Sequence, residues 1–272
     1  MILLLISIII ITLNEAENLE STINAARLAA KSGSGRSIPI EIIVSDGGST
    51  DGTIEIANKI ADKVIDAPKG RYKQLNTGAR ESSGDILLFL HADSNLPKGG
   101  LIQVYHKLKD PCTIGGGFIK VWKWSPYVRR SKLVNFIMYF KERFDNLVVK
   151  LTKMFPGDNA VFIRKSIYEH LGGFSPMWIC EDFDFCLRLK KFSKKNVCTI
   201  RKKLKKNKLV YIETPINTSA RRIEKYGVIK TFGTWFFIYY LWKFGMSQDD
   251  LRKRFSKYKI EPERVNTNIL RF

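Results

Sequence analysis

The stretch DILLFLHADS, residues Asp85–Ser94, decides the fold class of this chain. Its segment Asp85–Leu90 predicts a strand that is buried on both faces, which is typical of a parallel sheet covered by helices. The run ends at polar residues, and the ligands of parallel sheets lie at the carboxyl ends of the strands. We therefore expect an α/β fold with a functional site beside Asp93.

The sequence before this strand alternates between strands and helices. Apolar runs predict the strands, and apolar residues that recur every three or four positions predict the helices. The predicted strands are Leu3–Thr12, Ile40–Ser45 and Lys63–Asp66. The predicted helices are Glu15–Lys31, the segment from the turn DGGSTDGT through Ile60, and Tyr72–Glu81. This order predicts a mostly parallel sheet with right-handed crossovers.

Polar segments follow several of the predicted strands. They are Thr12–Asn14, Asp46–Gly48 and His91–Asp93. Because the carboxyl ends of parallel strands share one edge of the sheet, we expect these segments to converge on one crevice. The sequence after the first strand lacks GxGxxG, and GxxxxGK[ST] is absent from the chain, which excludes the dinucleotide-binding and P-loop fingerprints.

The second half of the chain is less regular. Gly115–Trp122 predicts a strand, Phe155–Lys165 predicts a turn and a strand, and a helix is expected to begin near Glu181. A long helix before that turn carries one apolar stripe. Packing in the core is the favoured interpretation of the stripe, and a lipid-facing role is the alternative. The stripe consists of Leu133, Phe136, Ile137, Phe140, Phe144, Leu147, Val148 and Leu151.

The chain is strongly basic. Its 272 residues include 46 Lys and Arg against 26 Asp and Glu, which gives a formal net charge of +20. Such a surface attracts nucleic acid, anionic lipid or phosphorylated substrates, and the charge alone does not choose among them. The run Lys190–Lys208 contains no acid. We interpret it as a solvated face, with contact to anionic lipid or to a phosphate-bearing acceptor as the alternative.

The four cysteines show no pattern that predicts a metal site or a disulfide framework. Cys112, Cys180, Cys186 and Cys198 include no CxxC pair, and no His lies close enough to complete a zinc motif. A disulfide framework is also untypical of a chain this long. We therefore expect four reduced thiols in a cytosolic protein.

Two apolar segments raise the question of membrane contact. Met1–Leu13 is too short to span a bilayer and lacks a basic start and a cleavage site, so we interpret it as a buried strand rather than as an anchor. Trp235–Trp242 has the sequence WFFIYYLW and lies between Lys230 and Lys243. An interfacial helix is the favoured interpretation of this segment, and packing against the domain is the alternative.

Two carboxylates at the strand ends suit ligand binding. Asp46 precedes Gly47 and Gly48, whose backbone permits a tight turn and close approach of a ligand. Its carboxylate could accept a hydrogen bond from the edge of a nucleobase, while Ser49–Asp51 can cap the next helix. Asp93 follows an apolar strand, where a single carboxylate suits Mg²⁺ or Mn²⁺ whose other ligands are waters and phosphate oxygens.

Six short motifs occur in a fixed order along the chain. They are TLNE at Thr12–Glu15, VSDGGSTDGT at Val44–Thr53, GRYKQLNTGAR at Gly70–Arg80, GDILLFLHAD at Gly84–Asp93, GDNAVFIRK at Gly157–Lys165 and GGF…ED at Gly172–Asp182. Their combination and order resemble family 2 glycosyltransferases of the GT-A fold, over about residues 6–222. The chain looks closest to a subgroup with a TSARR segment, here Thr218–Arg222, whose members are often labelled carotenoid or lipid glycosyltransferases.

The resemblance implies a role for each matching residue. Asp93 matches the second acid of the metal-binding DxD motif, whose first acid is replaced by His91. In the ED motif, Asp182 would be the catalytic base beside Glu181. The nucleotide-binding residues would be Thr12, Asn14, Glu15, Asp46, Gly47, Lys69, Arg71, Asn76, Gly78, Ala92, Asp93, Arg221 and Arg222. The acceptor side would be shaped by Gly157, Asp158 and Asn159.

The implied protein is an inverting, metal-dependent, hexosyltransferase-type enzyme with Mn²⁺ or Mg²⁺. It would move a sugar from a nucleotide-diphosphate donor, UDP by family habit, to a hydroxyl or carboxyl acceptor that is lipid-linked or part of the cell envelope. The GT-A domain would span residues 1–222, with a nucleotide half, 1–95, and an acceptor half, 96–222. Residues 223–272 would form a helical, amphipathic and aromatic extension. We expect a cytoplasmic protein, peripheral on the inner face of the membrane, with an anionic membrane surface and no nucleic acid as partner.

Two rival functions remain open at this point. A sugar-nucleotide pyrophosphorylase would need a basic, glycine-rich loop after the first strand, where TLNEAENLE supplies acids instead. A non-catalytic basic module on a degenerate fold could bind membranes or nucleic acid through its positive charge. Acids gathered at the strand ends would oppose the binding of a polyanion.

Overall fold

A computed structural model describes residues 4–33, 35–128, 130–200 and 203–255. The strands are β1 (Ile6–Thr12), β2 (Ile40–Asp46), β3 (Lys63–Asp66), β4 (Ile86–His91), β5 (Ser94–Asn95), β6 (Thr113–Lys123), β7 (Phe162–Arg164), β8 (Val197–Ile200), β9 (Lys203–Lys206) and β10 (Lys208–Ser219). The helices are α1 (Ala16–Ala29), α2 (Thr53–Ile60), α3 (Arg71–Arg80), α4 (Gly100–Leu108), α5 (Lys132–Thr152), α6 (Lys165–His170), α7 (Glu181–Lys195), α8 (Arg221–Tyr226), α9 (Val228–Lys243) and α10 (Gln248–Phe255). A 3₁₀ turn covers Gly157–Asn159.

One sheet of eight strands, in the order β3-β2-β1-β4-β7-β6-β10-β5, forms the centre of the described residues. The first four strands are parallel to one another. β7 runs antiparallel to β4 and β6, β10 is parallel to β6, and β5 is antiparallel to β10. The register sets Thr12 beside Asp46 and Ile11 beside His91. The predicted polar segments therefore meet at one edge of the sheet.

The sheet is buried on both faces because successive side chains of a strand point to opposite sides. On one face, Ile8 and Ile10 of β1 belong to a cluster with α1, α2 and α4. On the other face, Ile9 and Ile11 belong to a cluster with α3 and α7. Every residue of β1 is buried, which confirms that the apolar segment is a strand; Met1–Leu3 lie outside the described residues.

The apolar stripe of α5 does not pack in the core. All eight of its residues are exposed, from Val148 at 38% to Leu151 at 74%. The side of the helix that faces the protein is mixed: Met138 and Val149 are buried there, and Asn146 and Glu142 hydrogen-bond to the backbone of β6. The prediction of core packing is wrong because periodicity shows that a helix has an apolar face, but not the direction in which that face points.

Two of the cysteines form a disulfide. Cys112, directly before β6, is bonded to Cys198 in β8, with their Cα atoms 5.5 Å apart. The two lie 86 positions apart in the sequence, so spacing gave no indication of the pair. The prediction of four reduced thiols is therefore wrong for these two, whereas Cys180 and Cys186 are free and buried.

The C-terminal helices of the described residues pack onto the sheet domain. Phe232 and Trp235 of α9 join Trp122 of β6 and Met138 of α5 in a small apolar cluster. The opposite face of α9 is exposed. Among the described residues, no helix combines the length and the apolar character needed to cross a membrane.

Candidate active site

Hydrogen bonds tie the first two polar segments together. Thr12 Oγ1 donates to Asp46 Oδ1 at 2.7 Å, and Gln74 Nε2 of α3 donates to the carbonyl oxygen of Thr12 at 2.7 Å. Asn14 has a φ of 54°, a conformation that its short amide side chain tolerates. Its Oδ1 accepts from the backbone N of Thr50 at 2.8 Å. The loops after β1 and β2 therefore form one rigid unit at the edge of the sheet.

Asp46 lies inside this unit, and its carboxylate is only 2% exposed. Oδ1 accepts from the hydroxyls of Thr12 and Ser49, and Oδ2 accepts from the backbone N of Gly48 and Ser49. A carboxylate offers about four acceptor positions, so the protein itself uses all of them here. In this structure Asp46 fixes the turn after β2, and its contact with a nucleobase stays a prediction.

Arg221, the first residue of α8, bridges two acids of the crevice. Its guanidinium forms a bidentate ion pair with Glu15, in which Nη1 lies 3.0 Å from Oε2. Nη2 also lies 3.2 Å from Asp93 Oδ2. Burial raises the pKa of Asp93 to about 6, and the positive charge of Arg221 opposes that rise. The segment after β10 therefore reaches the ends of β1 and β4.

Arg71, at the start of α3, connects two further motifs. Its Nε lies 2.7 Å from Glu181 Oε1, and Glu181 is only 1% exposed. Its Nη2 lies 3.1 Å from His91 Nε2. Because a guanidinium only donates, His91 Nε2 acts as the acceptor. Burial, and after it the charge of Arg71, lower the pKa of His91 to about 3, so the imidazole is neutral.

Asp158 and Lys120 form a pair that the sequence did not predict. Lys120 Nζ lies 3.8 Å from Asp158 Oδ2. Burial opposes ionisation of Asp158, but Lys120 and the nearby cationic groups outweigh it, so the pKa of Asp158 is lowered. The only sequence signal for Lys120 was a charged residue between the apolar residues Ile119 and Val121.

Asp182 lies in the first turn of α7 and faces a cavity of about 20 Å³ that Arg71, His91 and Gly157 also line. A space of this size holds about one water molecule. Gly157 has a φ of 57°, and a Cβ at that position would lie 3.0 Å from Asp182 Oδ2. The two acids of the ED motif therefore differ, since Glu181 is buried against Arg71 while Asp182 faces the cavity.

Several of the expected site residues make internal contacts. The side chain of Asn76 hydrogen-bonds to the backbone N and O of Phe174, and Asn159 Nδ2 donates to the carbonyl oxygen of Phe118 at 2.7 Å. Gly78 allows α3 to pack closely on Ile9, where a Cβ would clash. The structure gives these three residues a role in packing and loop geometry.

The other expected donor residues border the crevice. A Cβ at Gly47 would lie 2.9 Å from the side chain of Gln74, so the turn needs a glycine there. Ala92 is buried at the end of β4, and Lys69 is exposed just before α3. Arg222 follows Arg221 in α8 and is exposed to solvent.

The crevice suits a divalent metal that arrives with its own phosphate ligands. Among the residues that the structure describes, no three His, Cys, Asp or Glu side chains converge on a metal position. Nε2 of His91 already accepts a hydrogen bond from Arg71. Asp93, beside Arg221, is therefore the metal ligand that we consider at the end of β4. Mg²⁺ commonly takes one or two protein carboxylates and completes its shell with waters and phosphates, so Asp93 fits such an ion.

Comparison with known proteins shows the family of the chain. A family model described as glycosyl transferase family 2 matches residues 7–171, which is more than half of the chain. The chain belongs to this family. Glycosyltransferase AglE from Haloferax volcanii is a relative with 38% identity over 95 residues. That match covers 32% of this family 2 chain and 30% of AglE, so the chain spans less than a third of that relative.

Two solved structures share the fold of this family 2 protein. S. aureus TarS 1-349 in complex with UDP-GlcNAc has 16% identity and a TM-score of 0.52, over 79% of this chain and 58% of TarS. The mannosyltransferase PcManGT from Pyrobaculum calidifontis, in complex with GDP-Man and Mn²⁺, has 18% identity and a TM-score of 0.54, over 81% of this chain and 60% of PcManGT. Likeness at these identities shows the fold alone, which is the predicted α/β GT-A fold.

Proposed function

We propose that this protein is an inverting hexosyltransferase that moves a sugar from a nucleoside diphosphate to a hydroxyl or carboxyl acceptor. The observation that carries the proposal is the cluster around Arg71, whose charge interacts with Asp93, Asp158, Glu181 and Asp182. This cluster lies at the carboxyl edge of a parallel sheet, where such folds bind their ligands. UDP is the nucleotide we favour, and GDP is the alternative.

The donor diphosphate binds, in this proposal, where Arg221 spans Glu15 and Asp93. Cleavage of the bond between the anomeric carbon and the phosphate oxygen builds negative charge on the leaving diphosphate. Guanidinium groups match the geometry of phosphate oxygens and stabilise that charge, a task we assign to Arg221 and Arg222. Arg221 already pairs with two carboxylates, so exchanging one of them for a phosphate keeps its charge paired.

We assign the metal site of this donor complex to Asp93. A bound Mg²⁺ or Mn²⁺ supplies Lewis-acid stabilisation of the leaving diphosphate. The presence of Mn²⁺ in the PcManGT complex supports this assignment.

The acceptor side of the reaction is assigned to Asp182. This carboxylate takes the proton from the acceptor hydroxyl while the hydroxyl oxygen attacks the anomeric carbon. A single displacement from the face opposite the leaving group inverts the configuration at that carbon. The buried pair of Glu181 with Arg71 holds the first turn of α7 and so positions Asp182. Gly157 leaves the space beside the carboxylate free of a side chain.

The acceptor class that we propose is a lipid-linked or cell-envelope molecule, with the protein peripheral on the cytoplasmic face of the membrane. The net charge of +20 and the exposed aromatic face of α9 support this assignment. In this proposal residues 1–222 form the transferase domain and residues 223–255 form its helical extension; residues 256–272 of the predicted extension lie outside the described residues.

Turnover of UDP-sugars and GDP-sugars tests the assignment of Asp182. We expect Asp182→Asn to lower kcat by about 10² to 10⁴ because the proton acceptor is lost, while UDP binding persists. Asp184→Asn is the matched control, since Asp184 lies in the same turn but accepts from Ser175 Oγ and Arg188 Nε. The rate at which each variant forms the free nucleoside diphosphate from the sugar donor measures the difference. Equal loss of activity in the two variants would assign Asp182 a structural role, and a wild type without turnover would favour the non-catalytic binding module.

A further inference from the structure

The exposed apolar stripe of α5 points away from the protein, while the other side of the helix contacts β6. Asn146 lies on the opposite side of the helix, where it donates to the carbonyl oxygen of Lys120 at 2.8 Å and accepts from the backbone N of Lys120 at 2.9 Å. Glu142 accepts from the backbone N of Trp122 on that same side. A surface helix of a water-soluble domain normally turns its apolar side inward. In α5 a mixed side binds the protein, with Met138 and Val149 buried beside the polar contacts, and the exposed apolar stripe on the other side needs another apolar partner.

Basic side chains border the stripe. An α-helix turns about 100° per residue, which places Arg143 roughly 80° to one side of the centre of the stripe. Lys141 lies at the same angle on the other side, where it pairs with Asp145 and packs on the ring of Phe232. Lys150 lies near the C-terminal end of the helix, and Lys132 begins it. Apolar centres with basic borders are typical of helices that lie in the interface of an anionic bilayer.

A second helix extends this surface. Phe236, Tyr240 and Phe244 of α9 are exposed on one side, with Phe244 at 71%. The other side of α9 contacts α5, because Lys141 Nζ lies 4.3 Å from the ring centroid of Phe232. Both helices therefore belong to one part of the molecule, and large exposed apolar patches of this kind mark interaction sites.

We propose that α5 and α9 together dock this protein on an anionic lipid bilayer. The charge decides between the two obvious partners. A second copy would bring another chain of charge +20 against the basic borders, whereas anionic headgroups complement them. Phe and Tyr side chains at the centre of the face suit the boundary between headgroups and acyl chains.

The docking surface lies next to the acceptor side of the site, and in this respect the inference rests on the proposed function. The ring of Phe183, adjacent to Asp182, lies 4.9 Å from the ring of Tyr239 in α9. Lys120, which pairs with Asp158, lies 4.7 Å from the ring of Trp122, a neighbour of α9. A bilayer on this face would therefore border the route by which a lipid-linked acceptor reaches Asp182.

Vesicle flotation of the full chain tests the inference. The vesicles are phosphatidylcholine alone and phosphatidylcholine mixed with phosphatidylglycerol. We expect the wild type to bind the mixed vesicles. Phe140→Ser/Phe144→Ser should bind them at least about tenfold more weakly, because two aromatic rings no longer enter the interface. The control is Leu28→Ser/Ile54→Ser, two exposed apolar residues of α1 and α2, which should bind as the wild type does.

Circular dichroism and calorimetry with UDP accompany the flotation, so that loss of folding and loss of donor binding are seen separately. The inference is overturned if the wild type does not bind anionic vesicles at low salt. It is overturned as well if Phe140→Ser/Phe144→Ser binds the mixed vesicles as tightly as Leu28→Ser/Ile54→Ser does. It is also overturned if sedimentation shows self-association of the wild type that Phe140→Ser/Phe144→Ser removes, since a second copy would then cover the face. UDP binding without vesicle binding would refute the docking surface alone.

Discussion

Arg221 shows how single residues assemble the crevice from distant parts of the chain. It lies 206 positions after Glu15, yet its guanidinium holds that carboxylate and Asp93 together. Without a ligand it acts as the counterion of two acids that would otherwise repel each other. With a diphosphate present, the same guanidinium is placed to pair with phosphate oxygens. Arg221 therefore pairs with Glu15 and Asp93 when no ligand is present, and it can pair with the diphosphate of the donor when the donor binds.

Arg221→Ala should separate phosphate binding from nucleoside binding. We expect UDP affinity to fall by about 10- to 100-fold, because a charge-assisted pair is lost and two unpaired acids remain beside the diphosphate. Uridine affinity should stay unchanged. Calorimetry with both ligands measures the difference, with Arg80→Ala on the exposed side of α3 as control. An equal loss for UDP and uridine would show that Arg221 supports the whole pocket rather than the phosphates.

Individual site residues were predictable to different degrees. The motifs placed Asp93, Arg71 and Asp182 in one crevice, and the structure brings all three together. Lys120 was missed because one charged residue in a strand carries no motif. The saturation of Asp46 by internal hydrogen bonds depends on the geometry of the turn, which a sequence pattern does not specify.

At the scale of elements, Glu41 of β2 ties the turn before β4 to β1. Its carboxylate accepts from Ser7 Oγ, from the backbone N and hydroxyl of Ser83, and from the backbone N of Gly84. Burial opposes ionisation, but these hydrogen bonds outweigh it and lower the pKa of Glu41 below its ordinary value of 4.5. The stabilisation is therefore present above that value and is lost as the pH falls through the folded pKa.

Glu41→Gln should lower the free energy of unfolding by about 1 kcal/mol or more near neutral pH, because charge-assisted hydrogen bonds are replaced by weaker ones. The difference from the wild type should shrink as the pH falls through the lowered pKa of Glu41, because the carboxylate of the wild type then becomes protonated too. Urea unfolding across this pH range measures it, and Glu55→Gln on the exposed face of α2 is the control. A difference that stays constant down to acidic pH would contradict the assignment.

The elements themselves show what a sequence pattern can and cannot specify. The parallel strands β1, β2 and β4 were predicted because continuous apolar runs and strand-helix alternation allow few topologies. The helix α5 was predicted as a helix, but its stripe was assigned to the wrong environment. Which side of a helix meets the protein depends on the hydrogen bonds of Asn146 and Glu142 with β6, which lie outside the helix's own periodicity.

For the whole molecule, the disulfide between Cys112 and Cys198 joins the start of β6 to the β8–β9 hairpin. We expect reduction to lower the stability by about 2 to 4 kcal/mol, because the bond restricts the unfolded chain. Thermal unfolding with and without a reductant measures the effect, and Cys112→Ser/Cys198→Ser should not respond to the reductant. Thiol titration in denaturant should detect only Cys180 and Cys186; detection of all four cysteines would contradict the bond.

At the scale of the whole molecule, we propose that the crevice binds a nucleoside diphosphate with a metal at Asp93. Calorimetry of UDP binding, with and without Mn²⁺, tests it most directly on the wild type and Asp93→Ala, with Asp249→Ala in α10 as control. We predict that UDP binds, that Mn²⁺ tightens binding to the wild type and the control, and that Asp93→Ala loses this gain because the carboxylate ligand is gone. Absence of binding by both UDP and GDP, with and without Mn²⁺, would contradict the account.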